Sequence, residues 1–579
     1  MQNKLRKKWV VILLTSLALL MGSACTDDSD EPAGAAVTEG LTEESLVPTV
    51  VLVGPGSDYD AQQYESNQLV LDSMEELGIS SEYKFAADFA DIAGLVEAED
   101  EHMVSFGYLG TLLRTDPDAL LGPPFLCEFA VPGGSNYAQY CNEEFDELIY
   151  ESRQTYDFEA RRDLLLQAQE FIAKDIPLVT SYYPTQFDVY NSEAYDNVVP
   201  AVAVGLYNFW NFYEATPIGE DKTFRLAHGG GIDNMNIMAQ EEYTAELELN
   251  QDLNYDTLVR ISPEAQVMPW AAESFEAVDE TTIVAKLNDG MTFHDGRPVT
   301  AEDVKFSYDY IKEWEVGFFL SSLSALDSVE VVDELTVQFN LTSPSAVFPH
   351  VAMSQVPILP KHVWQNVVKD NNLNHPAEWE DVDFTGSGPY VLENVNLAEG
   401  VEYSRYDDYW AGSAGSEAFV MKNLADSQAI LRDLQDEAVY FHQTDTLLSN
   451  AVDQAREDDR FTVLETPGLT VRFTAFVMGE GSPFADYHLR HAASHLWDYD
   501  TILEVITGGD SDPGTGTIAP GNETWHNSDI PREEVEGPHW PSMNLELART
   551  ILEDAGYRWD EEGRLHYPED YEPQLLCEC

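Results

Sequence analysis

The chain of 579 residues carries 30 Lys and Arg against 105 Asp and Glu, a formal net charge of −75 at pH 7. Because phosphate groups are bound by clustered cations, this balance excludes nucleic acid as a partner. The hydrophobic share of 44% is enough for a large core and for two lobes.

Residues 1–24 have the pattern of a secretory leader. Four basic residues precede a mostly apolar run from 9 to 21, and small residues lead to Cys25. A run of this length suits a cleaved leader and is too short for a stop-transfer helix. The small residues before Cys25 resemble a bacterial lipoprotein box. We therefore expect export and a lipid anchor at Cys25, on the outer face of the cytoplasmic membrane. An ordinary leader with an incidental Cys25 is the alternative.

The segment that follows the leader is expected to be unfolded. Residues 25–47 are polar and acidic, and we expect them to form a disordered tether because they cannot bury enough apolar surface to fold.

The acids are spread along the whole chain, and loss of the four leader cations brings the mature charge near −79. Such a surface is typical of adaptation to high salt, where screening removes the self-repulsion. An ordinary acidic secreted protein is the alternative.

The first half alternates strands and helices. Residues 49–85 predict a buried strand at Val50–Val53, a turn, a helix that stops at Gly78, and a second strand. Residues 158–190 predict an amphipathic helix that ends before Pro177 and is followed by a strand.

The second half opens with a strand, two turns and a helix over residues 283–311. Asn288 to Gly290 and Asp295-Gly296 are turn sequences, and Thr300 has the sequence context of a helix N-cap with Asp303 three residues later. We interpret His294 and Asp295 as turn and packing residues.

The run FHDGRPVTAEDVKFSYDYI (293–311) resembles the signature of family 5 of the extracellular solute-binding proteins, the oligopeptide, dipeptide and nickel group. VPILPKHVW (356–364), GSGPYVLE (386–393) and SPFADYHLRHAASHLWDYDTI (482–502) resemble later landmarks of that family. Residues 48–213 resemble its C-terminal part, although they come first in this chain. Each landmark occurs once, so the chain is identified as a circularly permuted member. A misassembled gene that encodes a non-functional fused remnant is the rival interpretation.

The resemblance implies an α/β, two-lobe fold of the type II periplasmic-binding-protein class, with a small β-rich subdomain and a hinge of two crossing segments. We expect the crossings near Val179–Asp188 and Thr470–Val477. The expected parts are a leader at 1–24, a tether at 25–47, part of lobe II at 48–190, lobe I at 191–479 with its subdomain at about 255–380, and the rest of lobe II at 480–579.

Cys127 and Cys141 lie fourteen residues apart in a chain expected to be exported, which suggests a disulfide. The resemblance implies the same pair, because dipeptide-binding members have a disulfide in this interval. Three interpretations of Cys577 and Cys579 stay open: they are free thiols, an incidental metal site or an artefact of the gene end.

The ligand contacts are the least specified part of the sequence. In peptide-binding members an Asp shortly before an Asp-Pro pair holds the ligand ammonium, yet residues 111–115 contain no acid. Either Asp116 or Asp118 substitutes, or the ligand is not a free-amino peptide. Arg114 is a candidate for an anion. Further candidates are aromatic walls, each with core or surface packing as the alternative: Trp210, Tyr243, Trp497 and Trp525.

The resemblance implies a monomeric binding protein of an ABC importer that captures oligopeptides or similar polar solutes and delivers them to membrane permease subunits. An oligosaccharide, nickel or haem-type ligand is the alternative. The sequence contains no phosphate-binding loop, catalytic triad or Cys and His set with zinc spacing. We therefore expect no enzymatic activity, no cofactor and no metal.

We expect the mature protein to lose stability when salt is removed, because about 80 uncompensated negative charges then repel one another. The melting temperature measured from multimolar to millimolar salt tests this, with sucrose as the uncharged control solute. A melting temperature that is the same across the series contradicts the high-salt interpretation.

Overall fold

The computed structural model describes most of the chain from residue 41 onward. The described residues are 41–87, 91–92, 101–108, 110–131, 134–228, 234–239, 245–380, 382–424, 432, 434, 449–479, 481–530, 543–569 and 571. The leader, most of the expected tether, Cys25, Tyr243, Cys577 and Cys579 lie outside them.

Twenty-two strands are assigned in the described residues. They are β1 Val50–Pro55, β2 Ser81–Ala86, β3 Met103–Tyr108, β4 Leu178–Pro184, β5 Gln186–Asn191, β6 Tyr195–Asp196, β7 Thr216–Pro217, β8 Thr223–His228, β9 Val259–Ile261, β10 Val267–Pro269, β11 Ala272–Asp279, β12 Thr282–Leu287, β13 Leu326–Val331, β14 Thr336–Leu341, β15 Tyr390–Asn396, β16 Gly400–Arg405, β17 Ala418–Asn423, β18 Phe461–Thr466, β19 Val471–Phe476, β20 Ser511–Pro513, β21 Arg558–Trp559 and β22 Leu565–His566.

The helices lie between these strands, so the chain is of mixed α/β class. They are Ala61–Leu77, Asp118–Leu121, Glu143–Gln154, Phe158–Asp175, Phe209–Glu214, Ala245–Asn254, Ala301–Trp314, Gly317–Ser322, Lys361–Trp364, Val367–Asp370, Ser449–Arg456, Tyr487–Ser494, Tyr499–Thr501 and Leu545–Asp554. In the part of the chain that the structure describes, no helix has the length and apolar character needed to cross a membrane.

Local sequence signals set the ends of several helices. The carboxylate of Asp60 accepts the N–H of Gln63 at 3.0 Å and so caps the helix Ala61–Leu77. That helix stops at Gly78, whose φ of 96° suits glycine and where a Cβ would lie 2.3 Å from the Gly563 carbonyl. The prediction that Thr300 caps the helix Ala301–Trp314 is confirmed, and Asp303 completes a capping box.

Lobe II is built on a six-stranded sheet whose order is β2-β1-β3-β19-β4-β20. β1 runs parallel to β2 and β3, whereas β19 is antiparallel to both of its neighbours. β1 to β4 come from the first part of the chain and β19 and β20 from the second. The two parts therefore fold into one sheet.

Both faces of this sheet are covered. On one face Val50 and Leu52 share a core with Ala548 and Leu552 of the helix Leu545–Asp554. The prediction that Val50–Val53 lies in the same lobe as that helix is confirmed. On the other face the helices Glu143–Gln154 and Phe158–Asp175 pack over Phe106 and Phe473.

Lobe I contains two further sheets. The sheet β15-β16-β17-β8 has a core of its own around Phe224, Phe419 and Tyr403. The sheet β11-β12-β14-β13 and the helix Ala301–Trp314 enclose a second core and form the β-rich subdomain.

The chain crosses between the lobes twice. Thr185 alone separates β4 in lobe II from β5, and residues 467–470 separate β18 from β19. β5 and β18 pair antiparallel over six residues, from Phe461 opposite Asn191 to Thr466 opposite Gln186. The second crossing, at residues 467–470, thus meets the expected range Thr470–Val477 only at its first residue, because β19 is already an inner strand of the lobe II sheet.

The start of the described chain is held against its end. Glu43–Ser45 forms a turn, and the N–H of Val47 donates to the carbonyl of Leu565 at 2.9 Å. The N–H of Tyr567 donates to the carbonyl of Ser45 at 2.8 Å. Residues 41–47 are therefore ordered, although the sequence predicted a disordered tether up to residue 47. Leu46 owes this order to its bridge with His566.

Cys127 and Cys141 form a disulfide, with their Cα atoms 4.5 Å apart. The bond joins the turn Cys127–Phe129 to the loop before the helix Glu143–Gln154.

The contact between residues 45–47 and 565–567 yields a prediction about chain order. A rearranged chain that begins at residue 222 and carries residues 42–221 after residue 571, through a short flexible linker, should fold to the same structure, because it keeps the contact of residues 45–47 with 565–567 and the pairing of β6 with β7. We expect its melting temperature to stay within about 5 °C of the parent, since closing one short loop costs little.

The matched control is a rearranged chain with its break after Tyr310, inside the helix Ala301–Trp314. This break removes the helical hydrogen bonds that span it and should prevent cooperative folding. The interpretation of one shared lobe is contradicted if the chain that begins at residue 222 unfolds as far below the parent as this control does.

Candidate functional site

The hinge is built where the two crossings touch. A Cβ at Gly468 would lie 1.9 Å from the carbonyl oxygen of Pro184, so the two segments approach each other more closely than any other residue would allow. Gly468 also bridges Ala203, which brings a third segment to the same point.

That third segment is the tight hairpin 201–205, closed by reciprocal backbone hydrogen bonds between Ala201 and Gly205 of 2.8 and 2.9 Å. The N–H of Val202 donates to the Pro263 carbonyl in lobe I at 2.9 Å. The hairpin thus contacts both the crossings and lobe I.

The loop after β3 reaches the hinge from lobe II. The N–H of Gly110 donates to the hydroxyl of Thr470 at 2.9 Å, and a Cβ at Gly110 would lie 3.2 Å from the Ala203 carbonyl. Thr111 then caps the turn Leu112–Thr115. This loop, the hairpin 201–205 and the crossings meet where the two lobes join, and we take the region around this junction as the candidate site.

A carboxyl group is buried inside the hinge. Asp188 of β5 is fully buried; its Oδ2 accepts the N–H of Leu206 at 3.2 Å, and no described residue hydrogen-bonds its Oδ1. Burial raises the pKa of Asp188 to about 8, because the hydrogen bonds from Leu206 and Gln186 only partly offset desolvation. The hinge therefore holds a carboxyl group that is largely protonated at neutral pH.

Asp116 is engaged in an ion pair within lobe II. Its two oxygens accept hydrogen bonds from Arg161 of 2.7 and 2.8 Å, and the residue is only 6% exposed. Burial opposes its ionisation, but the charge and hydrogen bonds of Arg161 outweigh burial and lower the pKa of Asp116 to about 2. The carboxylate is already paired, so a ligand ammonium would compete with Arg161 for it.

Asp118 is paired in the same way. Arg153 donates to its two oxygens at 2.7 and 3.2 Å. Asp118 is 9% exposed. Each of the two candidate carboxylates is therefore already paired with an arginine.

The other candidates are placed apart from one another. The guanidinium of Arg114 lies 5.1 Å from the ring centre of Tyr108. Trp525 packs on Phe158 and under the guanidinium of Arg161, so Arg161 joins it to Asp116.

The other two candidate tryptophans, Trp210 and Trp497, are core residues. Trp497 is 1% exposed and donates to the Ser181 hydroxyl, and this burial leaves no surface for a cleft wall. Trp210 donates to the Ile261 carbonyl. Among the described residues, no group of three or more His, Cys, Asp or Glu is arranged to hold a metal ion.

Sequence reasoning missed Asp188, Arg153 and Arg161. A signal for Asp188 was present, because an acid between Phe187 and Val189 in a strand pattern is unusual. In a chain with 30 basic residues among 579, an arginine on an amphipathic helix is a further signal of a specific partner.

Comparison with known proteins gave a family match. The model described as "Bacterial extracellular solute-binding proteins, family 5 Middle" matches residues 266–576. A Brucella ovis protein named as an ABC transporter peptide-binding protein is 29% identical over 291 residues, which cover 50% of this chain and 51% of that protein. The dipeptide-binding protein of Escherichia coli is 26% identical over 315 residues, covering 50% and 55%. The chain thus spans about half the length of the curated relatives it matches.

Among solved structures, NikZ from Campylobacter jejuni in complex with Ni(L-His) is similar, with a TM-score of 0.45 and 17% identity. The match covers 60% of this chain and 66% of that chain.

The buried Asp188 predicts a pH dependence. Its folded-state pKa of about 8 exceeds the value of about 3.9 expected in the unfolded chain, so its contribution to stability is complete below pH ~4 and is lost as the pH rises to ~8. The variant Asp188→Asn lacks this loss. We expect wild type to lose a few kcal/mol relative to the variant between pH 4 and 8, measured as the difference of their unfolding free energies.

Above pH 8 the difference in unfolding free energy between wild type and Asp188→Asn should be constant. Asp512→Asn, on the edge strand β20, is the control and should show no such trend. A difference between wild type and Asp188→Asn that does not vary with pH contradicts the assignment.

Proposed function

Because the chain belongs to the bacterial extracellular solute-binding proteins, family 5, we propose that it is the ligand-capturing component of an ABC importer. It binds an oligopeptide or a similar polar solute between lobes I and II and delivers it to permease subunits in the membrane. We propose further that it acts as a monomer, without enzymatic activity or cofactor, and is tethered to the outer face of the cytoplasmic membrane through a lipid on Cys25.

The observation that carries this proposal is the pair of crossings at the hinge. Two segments that cross side by side at Gly468 and Pro184 allow the lobes to rotate about one line while each keeps its own core. A solute in the space above them contacts both lobes only when they close, so its binding energy favours the closed state.

A second candidate ligand class has its own support. Asp116 and Asp118 are both paired with arginines, which favours a solute without a free ammonium group, such as an oligosaccharide. A nickel or haem-type ligand is a further alternative, for which the described residues offer no cluster of metal-binding side chains.

We also propose that the order of the two segments is a functional circular permutation. The shared sheet of β1, β3 and β19 supports it, since each segment supplies strands that the other needs. The rival is a fused remnant that folds but binds nothing.

Small-angle scattering of the folded protein tests the proposal. We expect the radius of gyration to fall when a bound peptide or oligosaccharide closes the lobes, and mass spectrometry of solute released on denaturation should identify the ligand class. The control is the same titration with free glycine and with glucose, the single units of the two ligand classes, which offer fewer contacts to hold the lobes together. Absence of compaction with every solute, in a protein shown to be folded by circular dichroism, supports the fused remnant instead.

A further inference from the structure

The two lobes meet again away from the hinge. The backbone N–H of Ala346, in the β-rich subdomain, donates to the carbonyl of Arg153 in lobe II at 2.6 Å. The hydroxyl of Tyr156 donates to the carbonyl of Glu280, in the turn between β11 and β12, at 3.4 Å. We call these four residues the latch.

The latch is supported by the ion pair of Arg153 with Asp118 in lobe II. Arg153 is the last basic residue of the helix Glu143–Gln154, and its guanidinium is held by both oxygens of Asp118. This pairing fixes the end of the helix whose carbonyl accepts the Ala346 N–H.

The latch and the hinge differ in what happens to them when the lobes separate. The strands that cross at the hinge are covalently continuous, and their ladder of six residue pairs can persist in the open state. The Ala346 and Tyr156 hydrogen bonds join separate parts of the chain and must break. They therefore stabilise the closed state alone.

We propose that the latch sets the balance between open and closed lobes, and that Asp118 is a positioning residue that acts through Arg153 and does not touch the ligand. This inference rests on the proposed function. It gives Asp118, one of the two carboxylates that the sequence offered as ligand anchors, a different role, the support of lobe closure.

The two roles of Asp118 predict different binding patterns. If Asp118 positions the latch, Asp118→Asn lowers the closed fraction, and the apparent affinity for every solute falls by the same factor. If Asp118 held a ligand ammonium, only free-amino ligands would lose affinity. Trialanine, N-acetyl-trialanine and maltohexaose are the probes that separate these cases.

Hydrogen exchange of the Ala346 amide measures the latch without any ligand. In Asp118→Asn we expect this amide to exchange about ten-fold faster, and the Kd of each probe that binds to rise by a similar factor, as expected when one or two hydrogen bonds are lost. Tyr156→Phe, a change at an exposed residue, should act in the same direction with a smaller factor.

Tyr150→Phe is the matched control. Tyr150 and Tyr156 are 37% and 44% exposed, and each donates one hydroxyl hydrogen bond, but the partner of Tyr150 is Glu128 within lobe II. Tyr150→Phe should leave both the exchange rate and the affinities unchanged.

Three results would overturn the proposal. One is an Ala346 amide that exchanges equally fast in wild type, Asp118→Asn and Tyr156→Phe. Another is a loss of affinity confined to trialanine, which would make Asp118 an ammonium anchor. The third is an equal effect of Tyr150→Phe. If wild type binds none of the probes, the proposed ligand classes fail, and the exchange measurement still decides whether the latch exists. If Asp118→Asn does not fold, Tyr156→Phe carries the same test.

Discussion

The close approach of the two crossings is the constraint on which the rest of the molecule depends. Gly468 and the Pro184 carbonyl leave no room for a side chain between them, and the hairpin 201–205 fills the remaining side. On one side of this point β4 and β19 belong to the lobe II sheet, and on the other side β5 and β18 pair with each other. Because Gly468 has no side chain, the closest approach of the two crossings is between backbone atoms.

The buried charges are arranged around this division. Asp116 and Asp118 are both held by arginines in lobe II, while Asp188 in the hinge has no cationic partner that lowers its pKa. Two ionised pairs therefore lie beside the contact with the subdomain, and one protonated carboxyl lies at the centre of rotation. A carboxylate that lost its arginine there would be costly to bury, so each pair also fixes the helix that carries its arginine.

The local features could be predicted from the sequence because short-range patterns determine them. Val50–Val53 is an uninterrupted apolar run and forms a buried strand, and Thr300 with Asp303 forms the capping box that its spacing indicates. The once-only landmarks also predicted that both halves of the chain share a lobe. Elements whose structure depends on neighbouring residues thus fold as the sequence predicts.

The candidate site could not be predicted in the same way, because its contacts join distant residues. Arg161 lies 45 residues from Asp116 and Arg153 lies 35 from Asp118, so nothing near either carboxylate shows that it is already paired. The expected second crossing, Thr470–Val477, extends into β19, because this strand is largely buried on both faces and its residues alone do not say to which sheet it belongs. Trp497 was a candidate wall by residue type, and only packing shows that it is core.

The contact between residues 45–47 and 565–567 determines how a force applied to the N-terminal segment would be distributed. A pull on the chain at residue 41 is carried first by the hydrogen bonds to Leu565 and from Tyr567, and through Leu565 by the core beneath it, before it reaches β1. β19 and β4, which lead into the hinge, lie two and three strands away from β1 in the sheet. Tension that enters through the N-terminal segment is therefore borne by lobe II alone, and the rotation between the lobes is insulated from it.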